Sequence, residues 1–124
     1  MIDSTRVVHI SECDKTDKPW GYEVLWASTE SYAAKIMNIQ AGHRMSLQFH
    51  NEKEETIYVM NGELLVWENE DDDDYAGYPP GSIYHVKPGM VHRFGAPEKC
   101  NVMLIEVSTN RLDDVIRVKD DYNR

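Results

Sequence analysis

The chain has 124 residues, of which 41% are hydrophobic and 28% charged, the size and make-up of one ordinary globular domain. Its 13 basic and 22 acidic residues leave a net charge of −9, and no basic stripe of the kind a nucleic-acid binder carries is visible. Nothing approaches the ~20 apolar residues of a membrane span, the start at Met1 to Arg6 lacks the layout of a secretory signal, and Cys13 and Cys100 show no CxxC spacing. A cytoplasmic protein without disulfides or a thiolate metal site is therefore expected.

Residues 1–17 are polar, with a short apolar patch at Val7-Val8-His9-Ile10 that reads as an arm or an edge strand. The turn Lys18-Pro19-Trp20-Gly21-Tyr22 leads into a strand at Glu23 to Trp26. Ala34 to Gln40 is the next strand, ended by Ala41-Gly42. Met45 to His50 then alternates Met, Ser, Leu, Gln, Phe, His, the period of a half-buried strand. Thr56 to Met60 and Glu63 to Trp67 flank Asn61-Gly62, a strong hairpin signal. The run Glu68 to Asp74 reads as a solvated loop; it has no internal glycine for the sharp turn of a calcium loop. Strands are predicted at Ser82 to Val86, Val91 to Phe94 and Asn101 to Val107, with a helical turn at Leu112 to Arg117. Many short strands separated by Gly and Pro turns predict an all-β sandwich or barrel, and small closed barrels and jelly rolls avoid exposed edges.

Chemistry-bearing side chains cluster in this pattern. Gln48 and His50 are two apart on one strand and share a face; Arg44 shares their parity if the strand extends back that far. Glu55 opens the next strand, on the face of Ile57 and Val59, and His92 begins another just after a Gly turn. An amide oxygen, two imidazoles and a carboxylate suit a divalent cation, with zinc or manganese as the compromise between soft and hard donors.

From Gly42 through Gln48-Phe49-His50 and Glu55 to Gly62, the sequence resembles the first cupin motif, with Gln48 at the place of its first histidine. From Gly81 through Lys87-Pro88-Gly89 to His92 it resembles the second, with Lys87 where a proline is common. Further stretches resemble the cupin domain of type II mannose-6-phosphate isomerases. These are Lys18-Pro19-Trp20-Gly21-Tyr22-Glu23, Ser46-Leu47-Gln48, His92-Arg93-Phe94, Asp113-Asp114-Val115-Ile116-Arg117 and Asp120-Asp121-Tyr122. The resemblance implies a cupin jelly-roll β-barrel (a double-stranded β-helix) over residues 18–124 and a central Zn²⁺ or Mn²⁺ on Gln48, His50, Glu55 and His92. It also implies a mannose-6-phosphate/fructose-6-phosphate isomerase activity in polysaccharide precursor metabolism, and a homodimer. In that family the domain often follows a sugar-nucleotide pyrophosphorylase domain, whose Gly-rich nucleotide loop this sequence lacks; nucleotidyl transfer by this chain is not expected.

Aldose–ketose isomerisation moves a proton between adjacent carbons, so it needs a Lewis acid and a base. Glu55, Glu52 and His85 are the candidate bases, while Glu54 should face away from Glu55. Arg44, Lys35 and Arg93 are the candidate phosphate ligands. Trp20, Trp26 and Trp67 and the tyrosines Tyr22, Tyr58 and Tyr84 read as packing residues. Two other readings stay open: a non-catalytic sugar- or metal-binding cupin, and an iron-dependent dioxygenase on the same barrel.

Overall fold

A computed structural model describes Met1 and residues 3–124, leaving Ile2 outside the described residues. Eleven strands run β1 (Asp14–Lys18), β2 (Gly21–Ser28), β3 (Ala33–Ile39), β4 (Leu47–Phe49), β5 (Glu55–Asn61), β6 (Leu64–Trp67), β7 (Tyr75–Tyr78), β8 (Ile83–Val86), β9 (Arg93–Gly95), β10 (Val102–Ser108) and β11 (Ile116–Lys119). One six-stranded antiparallel sheet has the order β1-β2-β3-β10-β5-β8. Facing it, β7-β6-β9 and β11-β4 are joined by two isolated bridges, Gln48 to His92 and Arg44 to Gly95. The result is the expected jelly roll.

Alternation places the core. The inward side chains Met37 and Ile39 of β3, Ile57 and Val59 of β5, Leu64 and Val66 of β6, and Val102 and Leu104 of β10 are all buried. The alternation then continues into polar residues at one end of the barrel. Lys35 on β3 lies opposite Glu106 on β10. Glu55 on β5 lies opposite Ser108. The barrel therefore has an apolar floor and a polar end, and the polar end is where chemistry can occur.

The Asn61-Gly62 signal marks the β5–β6 hairpin as expected. Gly62 has φ of +80°, and a Cβ there would press into the Asn101 carbonyl, so only glycine fits without strain.

Four segments differ from the sequence expectations. Residues 112–117 form no helix: Leu112 and Asp113 turn, and Ile116 and Val118 alternate along β11, which pairs with β4. Strands β1 and β7 were not predicted, because Asp14-Lys15-Thr16-Asp17-Lys18 and Tyr75-Ala76-Gly77-Tyr78 carry no apolar alternation; both are edge strands with little to bury. The Val7-Ile10 patch is not a strand. It lies between two 3₁₀ turns, Ser4–Arg6 and Ile10–Glu12, with Val7 and Val8 exposed. Among the described residues, no helix is long and apolar enough to cross a membrane.

Candidate metal centre

His50 follows β4, Glu55 opens β5, and His92 precedes β9. The backbone bridge between Gln48 and His92, with N···O distances of 3.0 and 2.9 Å, holds the two histidine-bearing segments side by side. Glu55 Oε1 lies 3.3 Å from His50 Nε2 and 3.1 Å from His92 Nε2. One donor atom from each residue falls within 4.8 Å of the others, and all three side chains are buried.

The outer ring nitrogens fix the tautomers. His92 Nδ1 lies 3.0 Å from the Met90 carbonyl, and His50 Nδ1 contacts the Asp114 carbonyl. A carbonyl only accepts, so each Nδ1 carries the proton and donates it. With both rings neutral, the state that metal ligation requires, each Nε2 aims a lone pair at the carboxylate. Three acceptors thus converge with no proton among them, and His92 Nε2 has no hydrogen-bond partner. Such a cluster is unfavourable in a buried setting unless a cation sits among the donors. The spacing fits as well. Ligands about 2.1 Å from one ion stand roughly 3.0–3.4 Å apart in tetrahedral or octahedral arrangements. The residues present therefore suit a divalent metal.

Gln48 opens into the same cavity as His50, as its parity requires, and its Oε1 accepts the Ser46 hydroxyl at 2.7 Å.

Beside the cluster, Lys53 Nζ bridges Glu55 Oε2 at 3.3 Å and Glu106 Oε2 at 3.5 Å. Burial, and next the charge of Glu55, hold the Glu106 carboxyl well above the ordinary carboxylate range. Burial also opposes ionisation of Glu55, but Glu106 and the charge of Lys53 act against it, and Glu55 is held well below that range. For Lys53, burial works against the charge, yet the two carboxylates hold its pKa above the ordinary value. The pair of carboxyls is thus split. One serves as an anionic donor, and the other takes up a proton more readily than an ordinary carboxylate.

The cavity above these groups is lined on one side by Trp20 and Met45, and by cationic side chains from four segments: Lys18, Lys35, Arg117 and Arg124. Lys35 is the one sequence-predicted phosphate ligand that reaches it, with Nζ 3.2 Å from Glu23 Oε1.

Other candidates fall elsewhere. Arg44 does not reach the cavity. Met45 and Gln48, three apart, both line it, so the alternation slips before β4 begins and Arg44 turns to the opposite side. There it donates to Asp121 at 2.6 and 3.0 Å and to Asp72 at 3.1 Å, above the Trp67 ring. Arg93 neighbours His92 and so points the other way. Its buried guanidinium donates to the Lys119 carbonyl at 3.0 Å. His85 pairs in register with Thr56, which faces outward. Its Nε2 lies 2.7 Å from Glu54 Oε2, away from the cluster, and Glu54 faces away from Glu55 as expected. Glu52 is largely exposed and pairs with Arg111 at 3.1 Å.

Glu106 and Lys53 were missed by the sequence reading. The signal for Glu106 was present: in β10 the inward set is Val102, Leu104, Glu106 and Ser108, which places a carboxylate on the barrel's inner face. Asp114 was noticed only within a family stretch. Its carboxylate accepts three consecutive backbone N–H groups, from Asn51, Glu52 and Lys53, which hold its pKa down to about 2.

The family model for the C-terminal domain of mannose-6-phosphate isomerase matches residues 6–120. The chain belongs to that family. Relatives of this mannose-6-phosphate isomerase C-terminal domain include the xanthan biosynthesis protein XanB of Xanthomonas campestris, 26% identical over 113 residues, covering 89% of this chain and 24% of that protein. Another is the mannose-1-phosphate guanylyltransferase ManC of Salmonella typhimurium, 32% identical over 120 residues, covering 86% of this chain and 22% of that protein. The chain thus spans about a quarter of the length of these relatives. Solved structures confirm the double-stranded β-helix of the cupins. The polyketide cyclase RemF of Streptomyces resistomycificus matches with a TM-score of 0.75 at 16% identity, covering 95% of this chain and 86% of that one. A double-stranded β-helix protein of Klebsiella pneumoniae matches at 0.73 and 15%, covering 90% and 96%. A cupin-like protein of Thermotoga maritima matches at 0.68 and 15%, covering 80% and 76%.

Proposed function

We propose that the chain is a metal-dependent aldose–ketose isomerase acting on a hexose phosphate of the mannose-6-phosphate/fructose-6-phosphate type. The observation that carries this reading is the convergence of His50 Nε2, His92 Nε2 and Glu55 Oε1 beside a cavity that His50, Gln48 and several cationic side chains line. Gln48 is the proposed fourth protein ligand through the free lone pair of its Oε1. A divalent ion bound there supplies a Lewis acid toward the carbonyl and hydroxyl oxygens of the sugar.

The rest of the work falls to the chain's own side chains. Glu106 is the group we assign to move the proton between the two carbons, since it projects into the cavity and burial, then the charge of Glu55, hold its carboxyl well above the ordinary range. Lys53 holds Glu106 and Glu55 in fixed relation. Lys18, Lys35, Arg117 and Arg124 supply the positive charge that a phosphate dianion needs, against the unfavourable field of a chain carrying −9. Trp20 and Met45 offer an apolar wall for the sugar's C–H face.

The test is metal analysis of the purified protein, followed by assay of mannose-6-phosphate and unphosphorylated mannose with the metal present and after chelation. About one Zn²⁺ or Mn²⁺ per chain is expected, with turnover that disappears on chelation and strongly favours the phosphorylated sugar. Metal with tight sugar-phosphate binding but no turnover would instead support the non-catalytic binding reading.

We also propose that a second copy of the chain covers the outer face of the six-stranded sheet. Its outward residues Val24 and Trp26 of β2, Ile36 of β3, Ile105 and Val107 of β10 and Tyr58 of β5 form an uncharged centre, bordered by Lys15 and Asp17 on the edge strand β1, although the chain is strongly acidic. Trp26, Tyr58, Val107 and Ile83 are left 43%, 45%, 47% and 69% exposed. Six strands ~4.8 Å apart and up to ~7 residues long give a face of about 24 by 23 Å. Roughened by side chains, this is on the order of the ~800 Å² each partner gives to a standard interface. Sedimentation is expected to show a dimer that the double change Tyr58→Lys with Ile83→Lys converts to monomer; a wild-type monomer at high concentration would refute it.

A further inference from the structure

The loop 51–54 joins two proposed ligands, since His50 ends its strand side and Glu55 begins the next strand. Their separation is therefore set by four residues of irregular backbone. That backbone is held from one direction. Asp114 Oδ1 accepts Asn51 N–H at 3.0 Å, and Oδ2 accepts Glu52 N–H at 2.7 Å and Lys53 N–H at 2.9 Å. The next residue, Glu54, donates its N–H to Thr109 Oγ1 at 3.1 Å and accepts from Thr109 N–H at 3.0 Å. The main-chain carbonyl of Asp114 accepts the proton of His50 Nδ1.

We infer that Asp114 is the positioning residue of the metal centre: its carboxylate clamps the loop between His50 and Glu55 while its carbonyl sets the tautomer and ring plane of His50. This inference rests on the metal reading proposed above. One residue, more than sixty positions along the chain, holds both the loop and the His50 ring. Three N–H groups gathered around one carboxylate form an anion nest. Groups that orient a ligand in this way are worth ~10–100-fold in metal affinity. The segment that carries Asp114 also brings Leu112, Val115 and Arg117 to the cavity wall. Seating of this strap therefore couples the metal geometry to the shape of the substrate mouth.

The alternative is a clasp that serves stability alone. Asp114→Ala and the milder Asp114→Asn separate the two, because both retain the backbone carbonyl and remove only the carboxylate. Arg111→Ala is the control; it breaks the exposed Arg111–Glu52 pair on the same strap without touching the nest. The readouts are the Zn²⁺ dissociation constant by chelator competition, the thermal midpoint of the metal-free protein, and the ¹⁵N shifts of the His50 ring in the metal-free protein.

Asp114→Ala is expected to weaken Zn²⁺ by ~10–100-fold and Asp114→Asn by less, with Arg111→Ala unchanged. In the metal-free wild type the His50 ring should be the Nδ1–H form, and in Asp114→Ala a mixture of tautomers. A lowered thermal midpoint with unchanged Zn²⁺ affinity and an unchanged His50 tautomer would overturn the inference. If the wild type binds no divalent metal, the functional reading fails separately, and the ring shifts still decide whether Asp114 orients His50.

Discussion

Replacing His92 by alanine is expected to abolish the proposed metal binding and with it the proposed isomerase activity. Glu55, His50 and the proposed amide oxygen of Gln48 would remain, and one carboxylate with one imidazole and a weak amide donor is a poor set for a divalent ion. Metal affinity should fall by more than the ~100-fold at the upper end of losses from groups that merely orient a ligand. Turnover should fall by roughly 10³-fold or more, since a Lewis acid contributes several kcal/mol of charge stabilisation. Thermal melts provide a second check. Added Zn²⁺ or Mn²⁺ should raise the wild-type melting temperature, because an ion that binds only the folded chain stabilises it by mass action. That rise should vanish in His92→Ala. Retention of one ion per chain with full activity would show that the buried cluster is not the metal centre.

Changing Glu106 to glutamine is expected to separate chemistry from metal binding. The substitution keeps the shape of the side chain and removes its exchangeable acid proton. Loss of a general acid–base group costs ~10²–10⁴-fold, and the loss should appear in kcat, with the metal content unchanged and KM shifted little. In the wild type, activity should decline toward acid as Glu106 takes up its proton, and burial places that decline above the ordinary carboxylate range. The residual activity of Glu106→Gln should lack this acid limb. Near-wild-type kcat in this variant would exclude Glu106 as the proton carrier.

The sequence made the barrel legible because its strands are short, alternate cleanly and end on Gly or Pro turns. The hairpin at Asn61-Gly62 and the shared face of Gln48 and His50 needed nothing beyond period-two geometry. Glu55 could be placed beside them for the same reason, since it opens a strand whose Ile57 and Val59 are core. Parity failed where the strand was not continuous. Between Met45 and Gln48 the alternation slips, which moved Arg44 from the expected cavity mouth to an ion pair with Asp121 on the far side. His85 could have been excluded only with the β5–β8 register in hand, because its orientation depends on lying opposite Thr56. Strands β1 and β11 bury little and so leave little apolar signal, and exposed Ile116 and Val118 are equally compatible with a turn of helix. Asp114 was beyond reach for another reason. Its partners are backbone amides of residues 51–53, and backbone amides have no residue-type signature in a sequence.

The pairing of β11 with β4 also bears on how the protein comes into being. His50, Glu55 and His92 are all synthesised before residue 114, yet the contacts that hold the loop and the His50 ring come from that later strap. During translation, the hairpins of the barrel can form while the ribosome still holds residues 112–119. The nascent chain should therefore acquire its β-structure first and its proposed capacity to capture an ion only after those residues emerge from the exit tunnel.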